Sequence, residues 1–199
     1  MVRAKIAVLV SGGGTNLQAL IDAQNSGIIK SGEISLVVSN VESAYALTRA
    51  KNNNIKTFYI PSKAPDFEVQ LKKVLSENNI DLIILAGFMK ILSADFTRIF
   101  ENRIINVHPS LIPSFCGKGF YGLRVHEEAL KYGVKVTGAT VHFVNEIPDG
   151  GDIIMQKAVY IEDGDTPEIL QKRVMEQAEW KILPESCELL CQKFIKESK

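Results

Sequence analysis

Asn106 and His108 stand two residues apart behind Ile104 and Ile105, and Pro109 and Pro113 follow at once. On a strand, side chains two apart share a face, so the amide and the imidazole project together while Val107 packs behind them. Pro109 removes a backbone donor, so the ladder ends where the polar pair emerges, at the strand's carboxyl end, where open α/β sheets bind ligands. An amide donor beside a group that titrates near neutrality suits attack of an amine on an acyl carbon, because the oxyanion needs fixed donors and protons must move between nitrogens. One such donor is worth about 2.7–4 kcal/mol in a transition state, and positioned proton transfer adds roughly 10²–10⁴-fold. The bland alternative is a histidine that merely ends a strand. Asp149, in Pro148-Asp149-Gly150-Gly151, is either a turn former or a carboxylate partner for this pair. His142 alternates with Thr140 and Val144, which puts it on the polar or site-facing side of its strand.

A second cluster lies near the amino terminus. The apolar run 5–10 leads into Ser11-Gly12-Gly13-Gly14-Thr15-Asn16 and then into a stretch with helical periodicity, Leu17, Leu20, Ile21 and Ala23, closed by Gly27. Leu17 occupies the place of the third glycine of a dinucleotide-binding fingerprint, and the Gly-Lys-Ser/Thr of a P-loop is absent. What remains is a cradle for a phosphomonoester at a helix amino terminus, or a tight turn in which glycine only permits the backbone angles. His108, His126 and His142 lack ligand spacing and there is no HExxH or paired CxxC, so no metal is expected.

The elements that must position these groups alternate. Strands read at 5–10, 34–38, 56–60, 81–86 and 104–107 are separated by helices at 17–26, 44–50, 67–78 and from Ser93 to about 100, which implies right-handed crossovers and a parallel sheet. An irregular glycine- and aromatic-rich loop, 114–122, precedes a helix at 125–132, two paired strands at 135–144 and 153–161, and a long terminal helix in which Pro184 is expected to cause a kink or break. The 199 residues fit one domain, and 23 Lys plus Arg balance 23 Asp plus Glu, so no net field favours nucleic acid or a membrane surface. The three cysteines, Cys116, Cys187 and Cys191, and the lack of a signal-like start point to a reduced cytoplasmic protein, with packing as the role for the last two.

Several stretches taken together resemble one family. Ser-Gly-Gly-Gly-Thr-Asn-Leu-Gln at 11–18, Leu-Ala-Gly-Phe-Met-Lys-Ile-Leu at 85–92, Asn-Val-His-Pro-Ser-Leu-Ile-Pro at 106–113, Gly-Ala-Thr-Val-His-Phe-Val at 138–144 and Asp-Gly-Gly at 149–151 are similar to the single-domain glycinamide ribonucleotide formyltransferases. The resemblance implies an α/β fold with an open, mostly parallel twisted sheet, Rossmann-like, with helices on both faces. It implies one formyltransferase domain over 1–199, with a phosphate-binding half at about 1–100 and a folate-binding, catalytic half at about 101–199. The implied reaction moves the formyl group of 10-formyltetrahydrofolate, a co-substrate, to the primary amine of glycinamide ribonucleotide in purine biosynthesis, in a monomer or homodimer without metal.

By the same resemblance Asn106 and protonated His108 stabilise the oxyanion, while Asp149 positions His108 and assists proton transfer to folate N10, with His142 in support. Gly14, Thr15, Asn16, Gly87 and Glu179 are implied to hold the ribonucleotide. Lys63, Met89, Lys90, Ile91, Leu92, Asn106, Val144, Asn145, Pro148 and Asp149 are implied to hold the folate. The chain departs from the family pattern by one extra residue between Arg173 and Glu179, and by Trp180 where a histidine is common. Methionyl-tRNA formyltransferase and formyltetrahydrofolate deformylase share this core, but each is expected to need a further domain for which 199 residues leave no room. A noncatalytic nucleotide-binding module explains the glycine turn and makes no demand for Asn106, His108 and Asp149.

Overall fold

The computed structural model describes residues 3–197. Strands β1 (Ala4–Val10), β2 (Gly32–Ser39), β3 (Lys56–Tyr59), β4 (Leu82–Leu85), β5 (Ile104–His108), β6 (Val136–Phe143) and β7 (Ile153–Tyr160) form a seven-stranded sheet in the order β3-β2-β1-β4-β5-β6-β7. The first five run parallel, and β6 and β7 join antiparallel. In β1, Ile6, Val8 and Val10 enter one apolar layer and Ala7 and Leu9 the other, as a strand covered on both faces requires. Helices α1 (Thr15–Asn25), α2 (Tyr45–Asn52) and α7 (Trp180–Glu197) cover the first layer through Leu17, Leu20, Ala46, Leu47, Ile182 and Leu183. Helices α3 (Phe67–Glu77) and α4 (Ala94–Ile99) cover the second through Phe67, Leu71, Leu75 and Phe96. Cys187 and Cys191 pack in the first layer as unpaired thiols.

Two features of this sheet position the site. From β1 the chain winds outward to β2 and β3, then returns to β4 and β5 on the other side, so the loops after β1 and β4 part and leave a crevice at their carboxyl ends. The Ser11 N–H donates to the Gly87 carbonyl across that point at 3.2 Å. On the other side, β5 and β6 pair with Asn106 opposite His142 and His108 opposite Thr140, which sets all four side chains on one face.

The carboxyl-terminal helical region departs from expectation. Helix α6 (Pro167–Val174) gives way to a wide π-turn, Met175–Glu179, and α7 then runs through Pro184. Pro184 has no N–H for the Trp180 carbonyl one turn back and its ring crowds that carbonyl, so the interruption falls just before Trp180 rather than at the proline. A π-turn spends one residue more per turn than an α-turn, and Glu179 closes it as a buried side chain. Between β5 and β6 lies α5 (Leu123–Tyr132), with Val125, His126 and Ala129 on its buried face. No helix among the described residues is long and apolar enough to cross a membrane.

Candidate active site

The carboxyl end of β5 is built as the two-residue spacing requires. His108 is buried and Asn106 half-buried, side by side. The loop 145–151 folds back over them, and Asp149 takes a left-handed conformation, φ 56, that aspartate tolerates better than most residues. Gly151 permits this closure, since a Cβ there would lie 1.9 Å from the Phe143 carbonyl oxygen. Asp149 then bridges the two histidines: its Oδ2 stands 3.5 Å from His108 Nδ1, and its Oδ1 stands 3.5 Å from His142 Nε2. The Gly117 N–H donates to Asp149 Oδ2 at 2.8 Å.

Acceptors fix the proton positions. His142 Nδ1 lies 2.7 Å from the Phe143 carbonyl, which only accepts, so Nδ1 carries the hydrogen. His142 Nε2 lies 3.2 Å from Asn106 Nδ2 and 3.5 Å from Asp149 Oδ1: in the neutral ring it accepts from Asn106, which orients the amide and leaves the second Nδ2 hydrogen unused, and in the imidazolium it donates to Asp149. His108 Nε2 lies 2.9 Å from the Phe115 carbonyl and therefore also carries hydrogen, so Nδ1 is the nitrogen that faces the carboxylate. Burial pulls the His108 pKa below 6.5 against Asp149 and the Phe115 carbonyl, which raise it. Burial alone would raise the Asp149 carboxyl, but His142, His108 and the Gly117 N–H together hold it below its usual range. The free site therefore combines a neutral His108 with an ionised Asp149 at neutral pH.

Two hollows meet at this corner. The larger, about 730 Å³, includes Asn16, Gly87, Met89, His108, His126 and Glu179 in its lining, together with the loop 117–122. The smaller, about 130 Å³, has the apolar walls Leu85, Phe88, Leu92, Val144 and Ile147. Phe88, Ile91, Asn106, Pro148 and Asp149 line both. Lys90, Ile91, Leu92, Val144, Asn145, Pro148 and Asp149 thus gather around the smaller hollow, whereas Met89 faces the larger one. Lys63 belongs to neither: it is exposed in the turn after β3, and the ammonium that reaches this turn is that of Lys90, 2.9 Å from the Ser62 carbonyl. Both hollows draw on residues before and after position 100, so the site does not divide along the two halves of the chain.

At the far end of the larger hollow, Asn16 and Glu179 touch, with Asn16 Nδ2 donating to Glu179 Oε2 at 2.8 Å. Burial pushes the Glu179 carboxyl up to about 7 in spite of that bond. Gly14 and Thr15 do not line this hollow; Thr15 is exposed and opens onto a shallow depression with Gln18, Arg49 and Trp180. Gly14 sits at φ 74 against α2, where a Cβ would come within 2.6 Å of Ala46 Cβ. Gln18 is the first α1 residue whose N–H is taken by a carbonyl, that of Gly14, and among the described residues the N–H groups of Gly13 to Leu17 find no acceptor. This open amino end is suited to an anion.

Three features of the site escaped the sequence reading. The backbone of Phe115 and Gly117 grips His108 and Asp149, and a carbonyl or N–H leaves no mark in residue type. His126 is fully buried at the larger hollow with both ring nitrogens unpartnered among the described residues, and burial drives its pKa down to about 4. Its two-residue place beside Arg124 on a helix offered no signal beyond a buried histidine on an apolar face. Gln171 and Met175 enter the lining only through the helical path set by the π-turn. Among the described residues no group of three or more His, Cys, Asp or Glu is placed to hold a metal ion.

Residues 4–187 match the family model described as Formyl transferase. The chain is 42% identical over 184 residues to phosphoribosylglycinamide formyltransferase of Haemophilus influenzae, covering 90% of this chain and 84% of that protein. It is 43% identical over 192 residues to the human trifunctional purine biosynthetic protein adenosine-3, covering 94% of this chain but only 18% of that much longer protein. The crystal structure of phosphoribosylglycinamide formyltransferase from Anaplasma phagocytophilum superposes with a TM-score of 0.87 at 41% identity, over 96% of this chain and 88% of that one.

Proposed function

The chain belongs to the formyl transferase family, and from that premise we propose that it moves a formyl group from 10-formyltetrahydrofolate to the primary amine of glycinamide ribonucleotide, giving formylglycinamide ribonucleotide and tetrahydrofolate. The observation that carries this reading is the shared wall: Asn106 and Asp149 line both hollows, so a donor in one and an acceptor in the other meet at them. The apolar walls Leu85, Phe88, Leu92 and Val144 suit a pterin ring, with the loop 144–148 along its edge. The larger hollow takes the glycinamide and ribose, with the ribose hydroxyls at Glu179, and the phosphate extends past Asn16 to the amino end of α1.

Each catalytic role follows from a partner already named. The amine attacks the formyl carbon, a carbon–nitrogen bond forms, and the carbonyl electron pair moves to oxygen. The unused Asn106 Nδ2 hydrogen donates to that oxyanion. The amine proton passes to His108 at Nδ1, because Nε2 is committed to Phe115, and the imidazolium is then held between a carbonyl and the Asp149 carboxylate. Neutral at rest and charged only after attack, His108 adds its positive charge beside the oxyanion when it is needed. Collapse breaks the bond from carbon to folate N10, and the proton ends on N10. With Cys116, Cys187 and Cys191 all unpaired, the setting proposed is a reducing cytoplasm, for a monomer or homodimer.

The test is the folate absorbance change of the purified protein with and without glycinamide ribonucleotide. Loss of the formyl folate only when the amine is present is the expected result. Equal loss without it would make the protein a hydrolase, and no loss in either case would leave a binding module.

A further inference from the structure

The glycine turn carries no cation of its own between Ser11 and Asn16, and among the described residues Lys118 is the sole lysine or arginine lining the larger hollow. A phosphate dianion seated there relies on backbone N–H groups all pointing one way. Three successive carbonyls of the turn are drawn to the opposite side. Gly12 accepts from the Ala46 N–H at 3.1 Å, Gly13 from Arg49 Nε at 2.8 Å, and Gly14 from the Gln18 N–H at 2.9 Å. The first and third of these donors are backbone groups at the start of a helix. The middle one is a side chain, held in place by its Nη1 bond to Gln18 Oε1 at 3.1 Å and by the Tyr45 ring, whose centroid is 5.0 Å from the guanidinium carbon.

We infer that Arg49 is the positioning residue of the anion-binding turn: its bond to the Gly13 carbonyl keeps that oxygen turned from the ligand, and its guanidinium supplies the positive charge the turn lacks. Without it, the Gly13 peptide is free to rotate and present its oxygen toward the phosphate. Lysine does not replace it, since an ammonium is a point charge without the planar Nε–H that meets this carbonyl while Nη1 meets Gln18.

This inference rests on the phosphate reading of the turn, and its test separates the two. KM is compared for glycinamide ribonucleotide and for the same compound lacking the phosphate, in the wild type, Arg49→Ala and Arg49→Lys. A wild type indifferent to the phosphate would overturn the reading of the turn itself. Given a wild-type preference, Arg49→Ala is expected to reduce it about tenfold or more, the worth of one charge-assisted hydrogen bond, with the KM for 10-formyltetrahydrofolate unmoved. Arg49→Lys is expected to recover less than half of that loss. A preference intact in Arg49→Ala, or fully restored in Arg49→Lys, would overturn the role of Arg49. Should Arg49→Ala unfold, Arg49→Gln carries the same comparison.

Discussion

The two ends of the larger hollow are finished to different degrees. At the proposed catalytic corner the Phe115 carbonyl takes His108 Nε2, the Phe143 carbonyl takes His142 Nδ1 and the Gly117 N–H takes Asp149 Oδ2, so a backbone group fixes each of the three side chains. At the end toward α1, Asn16 Oδ1 is buried without a partner among the described residues, and the burial of Glu179 is opposed only by its bond from Asn16. A buried polar group left unpaired costs about 1–3 kcal/mol. The proposed catalytic corner is thus set by the protein alone, whereas the end proposed to grip the ribonucleotide carries groups a ligand can satisfy. Rigidity lies where geometry decides the rate, and unmet hydrogen bonds lie where affinity is needed.

Variants at the two ends are expected to differ in kind. The largest effect is expected from Asn106→Ala and Asp149→Asn, each lowering kcat by roughly 10²–10⁴-fold with much smaller changes in either KM. Steady-state kinetics with both substrates checks this, and near-normal turnover in either variant would break the assignment. Glu179→Gln should act the other way, raising the KM for the ribonucleotide about tenfold while kcat changes little.

The same variant is expected to gain stability at alkaline pH. The folded-state pKa of Glu179, about 7, lies above the ordinary 4.5, so the stability linked to its proton is complete below 4.5 and lost as pH rises through 7. Thermal midpoints of wild type and Glu179→Gln should converge near pH 4.5 and separate by pH 8, where the variant is favoured by up to about 3 kcal/mol. The smallest effect concerns His108. Turnover needs its neutral form, so kcat/KM, which reports the free enzyme, should fall as pH drops through a pKa below 6.5. Asp149 raises that pKa, so in Asp149→Asn the residual activity should lose its acid limb only at still lower pH, and a limb that moved upward would contradict the pairing.

Much of this arrangement is legible from residue order. Uninterrupted apolar runs such as 5–10 mark strands covered on both faces, and the spacing of Asn106, His108, Thr140 and His142 places them on a common face once β5 and β6 pair. Asp149 is harder to read, because Pro-Asp-Gly-Gly serves equally well as an idle turn; its function depends on a left-handed backbone and a close approach by Gly151. The grip of Phe115 and Gly117 is invisible in residue type because it is made by backbone atoms in a loop without periodicity. Lys63 illustrates the reverse, a basic residue at a plausible place in the chain whose side chain is exposed and lines neither hollow. Pro184 announces a disturbance of the helix, but only the path of the backbone shows it absorbed one turn earlier, with Glu179 in the widened turn.

Direct transfer between two hollows that share Asn106 and Asp149 is tested most plainly by following a carbon-14 formyl group through a single turnover. With labelled 10-formyltetrahydrofolate and glycinamide ribonucleotide, all transferred label should appear on the ribonucleotide amine, and none should leave the folate when the amine is withheld. Label retained on the protein, or released as formate without the amine, would contradict it.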